Sequence, residues 1–131
     1  MTGPAGPPID EGLRRRFAEA GRRISWRPGD GPGGSGAERI AHLHDEEARV
    51  VVDPSGGAAE IVVDPGPVGA LVLLLEIERR GAAPQLESVP ARRLPRFPDG
   101  AIRARWGPPG PPSPAAPTVE DLVALARFAL R

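Results

Sequence analysis

Two histidines separated by one residue are the sharpest candidates for chemistry in this chain. On a β-strand, residues i and i+2 project from the same face, so His42 and His44 could bind one metal ion. Glu46 or Glu47 could complete a metal-binding set of two histidines and one carboxylate. On a helix the two imidazoles would point about 200° apart, so the hypothesis depends on the secondary structure of residues 37–49. The simpler alternative is a pair of surface or structural histidines, and we predict no cofactor.

The same stretch has a local resemblance to the first motif of cupins, Gly-x5-His-x-His, through Gly36, His42 and His44. That resemblance implies a metal site on a β-barrel. Residue 48 is alanine where the motif calls for glutamate, and the sequence contains no third histidine. The helices predicted below also fit a cupin barrel poorly.

A glycine pattern, Gly29-x-Gly31-x-x-Gly34, matches the letters of the dinucleotide-binding fingerprint. The fingerprint works only between a strand and a helix whose N-terminus meets the pyrophosphate. The segment after Gly34 is not clearly helical, so the sequence predicts a loop here.

The sequence Val-Val-Asp-Pro occurs twice, at 51–54 and 62–65. Its aspartates, Asp53 and Asp64, could form a catalytic carboxylate pair if burial separated their pKa values. Each precedes a proline, however, and turn or capping chemistry explains both. We therefore predict that 50–52 and 61–63 are neighbouring antiparallel strands, that 53–57 turns the chain, and that Asp64 caps a helix. No catalytic residue is predicted.

Arginines are concentrated late in the chain. Residues 79–106 contain seven of them, with Glu87 and Asp99 as opposing charges: Arg79, Arg80, Arg92, Arg93, Arg96, Arg103 and Arg105. Beside Phe97 and Trp106 they could bind nucleic acid or an acidic protein surface, or they could form a solvated rim paired with nearby carboxylates. The residues predicted to bind a partner are Arg92, Arg93, Arg96, Trp106, Leu122 and Leu125.

Composition excludes several kinds of chemistry. The 131 residues contain no cysteine and no lysine, so disulfides, thiolate nucleophiles, Schiff bases and a P-loop cation are absent. Seventeen arginines balance seventeen acidic residues, so no net charge attracts nucleic acid or anionic lipid. The excess of Arg, Gly, Pro and Ala is typical of a high-GC, actinobacterial-like genome. With no signal peptide or membrane-length apolar run in view, we expect a soluble cytoplasmic protein.

The elements that must position these residues predict an α+β fold. Apolar stripes and caps indicate helices at 9–24, 67–80 and 119–130, the last with Thr118 and Asp121 as a capping box. They pack on a small antiparallel meander of three to five strands. Residues 37–49 fit a helix or a strand, and we favour a strand at 38–44 that turns at 45–47. Residues 86–93 and 101–106 are further strand candidates, the first confined to an edge by Pro90 and Pro95.

The order helix, three strands, helix over 9–80 is similar to that of double-stranded-RNA-binding domains. The resemblance is one of topology only, because the lysine-rich start of that family's second helix is replaced here by Pro-Val-Gly-Ala-Leu-Val.

The predicted organisation has four parts. Residues 1–8 form a disordered tail, 9–106 one domain, 107–117 a proline-rich linker, and 118–131 a helix that docks on the domain or on a partner. We predict a small non-catalytic adaptor that binds another protein or forms a homodimer. The alternatives are a metal-binding protein or enzyme using His42 and His44, and a nucleic-acid binder using the arginines of 79–106.

Overall fold

The computed structural model describes residues 9–29, 38–52, 59–94, 96–107 and 116–130. The predicted tail 1–8, most of the linker 107–117 and the turn 53–57 lie outside these residues. The strands of the described part are β1 (Ser25–Pro28), β2 (Glu38–Leu43), β3 (Glu46–Val52), β4 (Ala59–Val63), β5 (Gln85–Val89) and β6 (Ala101–Trp106). Its helices are α1 (Glu11–Arg22), α2 (Pro67–Arg80) and α3 (Val119–Ala126), with short 3-10 turns at Ala91–Arg93 and Arg127–Leu130.

The α+β class is confirmed, but the strand count is wrong: six described strands form one antiparallel sheet in the order β1-β2-β3-β4-β6-β5. The first four make the predicted meander. Helix α2 then carries the chain past the neighbouring position to the sheet edge, and β6 returns between β4 and β5. The segment from α1 to α2 contains four strands, so it differs from the three-strand order of double-stranded-RNA-binding domains.

Residues 38–43 form the favoured strand, β2, but the predicted turn at 45–47 is wrong, because Glu46 and Glu47 belong to the next strand. β2 pairs with β3 from Glu38↔Val51 to Leu43↔Glu46, which leaves His44 and Asp45 as a two-residue turn. His44 has φ 57°, in the left-handed region that two-residue hairpin turns require.

The valine repeat builds the predicted pair of neighbours. Val50 faces Val63 and Val52 faces Ile61 across β3 and β4. Because side chains alternate along a strand, Ile61 and Val63 face the helices while Val62 faces the other side of the sheet.

The main core lies between the sheet and the helices. Its fully buried side chains include Leu71 and Leu73 of α2, Val63 of β4 and Leu122 of α3. A smaller cluster on the opposite, outer face of the sheet consists of Val62, Phe97 and Ala101. The connection between β5 and β6 therefore folds over part of the outer face.

Helix α2 has the predicted bounds 67–80, is buried from Val68 to Leu74 and is capped by Gly81 in the left-handed conformation (φ 69°). Its N-cap differs from the prediction. Gly66 is the N-cap, Pro67 takes the first position, and the Asp64 carboxylate accepts the backbone N–H of Arg49 at 2.7 Å instead of capping the helix. Asp64 therefore ties β3 to the end of β4.

The outer helices begin with side-chain caps. Asp10 accepts the N–H of Leu13 at 2.7 Å, and Thr118 and Asp121 form the predicted capping box. Helix α3 packs against α2 and becomes a 3-10 turn after Ala126, so the predicted helix 119–130 is α-helical over its first eight residues. None of the helices in the described part has the length and apolar content needed to cross a bilayer.

Candidate functional site

The two histidines do not share a face. His42 lies exposed on the outer face, with Nδ1 3.4 Å from Oε2 of Glu47, its cross-strand partner. β2 ends at Leu43, so His44 belongs to the turn, where it lies beside α1 in a small hollow lined also by Arg16 and Arg23. Among the described residues no group of three or more His, Asp or Glu is placed to hold a metal. The metal hypothesis stays a prediction, and Glu47 is the carboxylate next to His42.

Glu47 belongs to a charged row on the outer face. Arg27 of β1 donates to its Oε2 at 2.8 Å, and this hydrogen bond, followed by the one from His42, lowers the pKa of Glu47. The row borders an open cleft of about 440 Å³ that also contains Arg49, Asp64 and Asp99.

Asp64 is the half of the candidate carboxylate pair that the structure describes, since Asp53 lies outside the described residues. Burial raises the pKa of Asp64, the hydrogen bond from the Arg49 backbone opposes this, and the nearby negative charge of Asp99 adds to it. The side chain joins two strands, and this role accounts for its position.

The glycine pattern is described only at its first member, because Gly31 and Gly34 lie outside the described residues. Gly29 follows β1, and its N–H donates to the carbonyl of Glu38 at 2.9 Å. The Glu38 side chain occupies the space where a Cβ of residue 29 would lie, so this glycine is needed for packing.

Most of the late arginines contact carboxylates. Arg79 and Arg80 contact Glu76, and Arg103 and Arg105 contact Glu60. Except for the pairs on α2, these partners come from strands distant in the sequence, so a local count of charges does not anticipate them.

Arg96 takes part in a buried cluster with Glu38. The Glu38 side chain is only 4% exposed; Nη1 of Arg96 lies 2.8 Å from it, and Nε of Arg49 lies 3.3 Å from it. Arg49 also donates to the carbonyl of Arg96 and lies 5.9 Å from the centre of the Phe97 ring. These contacts fasten the β5–β6 connection to the outer face.

The remaining predicted partner residues differ in accessibility. Arg92 and Arg93 are exposed in the 3-10 turn after β5, and no described carboxylate pairs with them. Trp106 packs on the core with Arg80 4.1 Å from its ring centre, and its Nε1 donates to the carbonyl of Ala82. Leu122 is fully buried and Leu125 is half-buried, so a partner could reach Leu122 only if α3 left the core.

Helix α1 is flanked by two grooves that the sequence reasoning missed. The α1–α2 groove encloses about 300 Å³; Ile9, Phe17, Ala18, Leu74 and Leu75 give it a mainly apolar lining. Arg14 and Glu78 form an exposed ion pair at its rim, 3.3 Å between Nε and Oε2.

The second groove lies between α1 and the C-terminal 3-10 turn. We call it the arginine groove, because Arg16, Arg23 and Arg127 line it. The sequence contained a signal for it: Arg16 and Arg23 are seven residues apart and therefore on one side of α1.

Searches for known relatives of this chain found no matching family model, curated protein or solved structure. The candidate surfaces are therefore defined by geometry and charge.

Proposed function

We propose that this chain is a non-catalytic accessory or adaptor protein that binds another protein chain through the α1–α2 groove. The observation that supports this proposal is the lining of the groove, which combines aliphatic and aromatic side chains with a rim of both charge signs. Helix-binding grooves of adaptor proteins have this combination, since apolar anchors supply affinity and rim charges orient the ligand.

The shape of the groove favours an amphipathic helix as the ligand. Its walls are two helices, and a third helix can lie along the furrow between them with apolar side chains at i, i+3 and i+7. Ala18 contributes a small side chain on one wall, which leaves room for an incoming aliphatic group. The rim pair of Arg14 and Glu78 is about half exposed, so both charges remain available to a ligand.

A variant with a long charged side chain in the groove tests the proposal. Ala18→Arg should block the groove, whereas Ala124→Arg places the same side chain on an exposed position of α3. Tagged wild-type protein and both variants would be incubated with extract of the source organism, and the bound proteins compared by mass spectrometry. Light scattering of the purified proteins would reveal a second copy as the ligand.

The expected result is a bound protein, or a dimer, that Ala18→Arg abolishes and Ala124→Arg leaves intact. The free energy of unfolding of both variants should lie within about 0.5 kcal/mol of the wild-type value, as is usual for substitutions at exposed or half-exposed positions. A strict monomer whose captured proteins are the same for all three forms would refute the proposal.

A further inference from the structure

The arginine groove runs along the side of α1 that faces the C-terminal 3-10 turn. Its wider part is an open hollow of about 520 Å³ lined by Asp10, Leu13, Arg16, Arg127 and Leu130. A narrower part of about 80 Å³ continues past Glu19 to Arg23 and His44 and shares Arg16 and Leu130 with the first. The two parts form one groove along most of α1.

Three guanidinium groups of this groove form no ion pair with a carboxylate of the described residues, although Asp10 and Glu19 also line the groove. Arg16, Arg23 and Arg127 are exposed, and none of their side chains forms an ion pair or hydrogen bond with a described residue. The arginines of the outer sheet face and of α2, by contrast, contact Glu38, Glu47, Glu60 or Glu76. Like charges around one concave surface repel each other, and an anionic ligand relieves that repulsion.

The floor of the groove indicates which class of anion fits. Leu130 is partly exposed between the arginines, and the buried side chains of Leu13, Ala20 and Ala129 lie beneath the floor. Asp10 and Glu19 interrupt the positive charge. A continuous line of phosphates would meet these carboxylates, and its bases would find no Phe or Trp ring among the described lining residues to stack on. A peptide offers separate carboxylates with apolar side chains between them.

The spacing of the arginines defines the ligand further. Arg16 and Arg23 are two helical turns apart, about 10.5 Å along α1. A second helix that lies along the groove presents carboxylates at the same spacing when they are seven residues apart. Arg127, on the opposite wall, can contact a third carboxylate.

We propose that the arginine groove binds an acidic amphipathic helix of a partner protein, with aliphatic side chains on the floor and carboxylates on Arg16, Arg23 and Arg127. This inference rests on the proposed adaptor function and adds the chemical class of the ligand. It places a second contact surface on the side of α1 opposite the α1–α2 groove.

A synthetic peptide tests the groove without knowledge of the partner. The probe is a helix of about 14 residues with Leu at i, i+3, i+4 and i+7 and Glu elsewhere; the control peptide has Lys in place of Glu. Binding to the full chain would be measured by fluorescence anisotropy. Raising the salt concentration from about 0.05 M to about 0.5 M should lower the affinity for the Glu peptide by about tenfold, because exposed charges are screened.

Matched variants locate the binding. Arg16→Glu and Arg127→Glu should each lower the affinity for the Glu peptide about three- to tenfold, and the double variant should lower it further. Arg92→Glu removes an exposed arginine outside the groove and should have no effect. Circular dichroism melts of all variants would verify that they fold.

The outcomes separate the two proposals. If the Glu peptide binds no better than the Lys peptide, or Arg92→Glu weakens it as much as Arg16→Glu, the inference about the arginine groove is refuted. Tighter binding of single-stranded DNA with the same dependence on Arg16 and Arg127 would also refute it, in favour of a nucleic-acid ligand. If Ala18→Arg abolishes binding of a partner and Arg16→Glu does not affect it, the proposed adaptor function is supported and the inference about the arginine groove is refuted.

Discussion

Replacing Leu122 by alanine tests whether α3 is part of the core or a detachable arm. The Leu122 side chain is 0% exposed and belongs to the main core, where α3 packs on α2. The substitution removes three buried aliphatic carbons, and the lost hydrophobic transfer free energy is about 0.8 kcal/mol for each. The cavity that remains adds to this loss, because buried neighbours relax only partly, so Leu122→Ala should lower the free energy of unfolding by about 3–5 kcal/mol.

Leu125 is the matched control for this experiment. It lies on the same helix but is only half-buried, so Leu125→Ala loses part of the transfer energy and leaves no closed cavity. We expect a loss of about 1 kcal/mol. Urea unfolding followed by circular dichroism would measure both variants, with the slope against urea unchanged if the two-state description holds.

The difference in the free energy lost by Leu122→Ala and by Leu125→Ala decides whether α3 is part of the core. Domains of this size have total stabilities of about 5–15 kcal/mol, so a loss of 3–5 kcal/mol shifts the midpoint clearly. If both variants lose about 1 kcal/mol or less, Leu122 is not buried in solution, and α3 is then free to bind a partner as the sequence had suggested.

Three further substitutions test contacts of the sheet and of α2. Asp64→Asn keeps an acceptor for the Arg49 N–H but removes the buried charge. Because the pKa of Asp64 is raised in the folded state, the stability of the wild type should fall as pH rises from the ordinary aspartate range through that raised pKa. Thermal melts across this pH range should show the fall in the wild type and not in the variant. Gly69→Ala should destabilise by about 2 kcal/mol or more in urea unfolding because its Cβ would meet the Asp64 carbonyl, whereas Gly66→Ala, with open space around it, should cost less than about 1 kcal/mol. Glu38→Gln removes the carboxylate that Arg49 and Arg96 contact and should cost about 1–2 kcal/mol by the same measurement, less than a fully buried pair because both arginines are about a third exposed.

The elements that local chemistry defines were predictable from the sequence. Thr118 with Asp121 marks a helix start by side-chain chemistry within a few residues, and the predicted capping box is present in the structure. The valine runs were recognisable as strands because β-branched residues suit a pleated surface. The capping role given to Asp64 was wrong because its carboxylate reaches the Arg49 backbone on the neighbouring strand, a contact that spacing alone does not show.

The order of the last strands was not predictable in the same way. β6 lies between β4 and β5 because it pairs with both, from Val63↔Ile102 on one side to Val89↔Ala101 on the other. These partners are separated by up to about forty residues, and loop closure over such lengths leaves no local signal in the sequence. The short run 101–106 therefore indicated a strand but not its neighbours.

Most of the arginines that are clustered in the sequence do not remain unpaired on the surface, and the sheet is one reason. A strand residue meets its counter-charge across the sheet, so Arg103 finds Glu60, more than forty residues away, and Arg96 finds Glu38. On α1, Arg14 contacts Glu78 of α2, whereas Arg16 and Arg23 contact no carboxylate among the described residues, so we expect their charges to be available to a ligand. Five of the seven arginines in 79–106 contact carboxylates of this chain, whereas Arg92 and Arg93, like Arg16, Arg23 and Arg127, are exposed and contact no carboxylate among the described residues. The same argument explains why charge reversal at Arg16 should affect binding with little effect on folding, whereas loss of Glu38 should do the opposite.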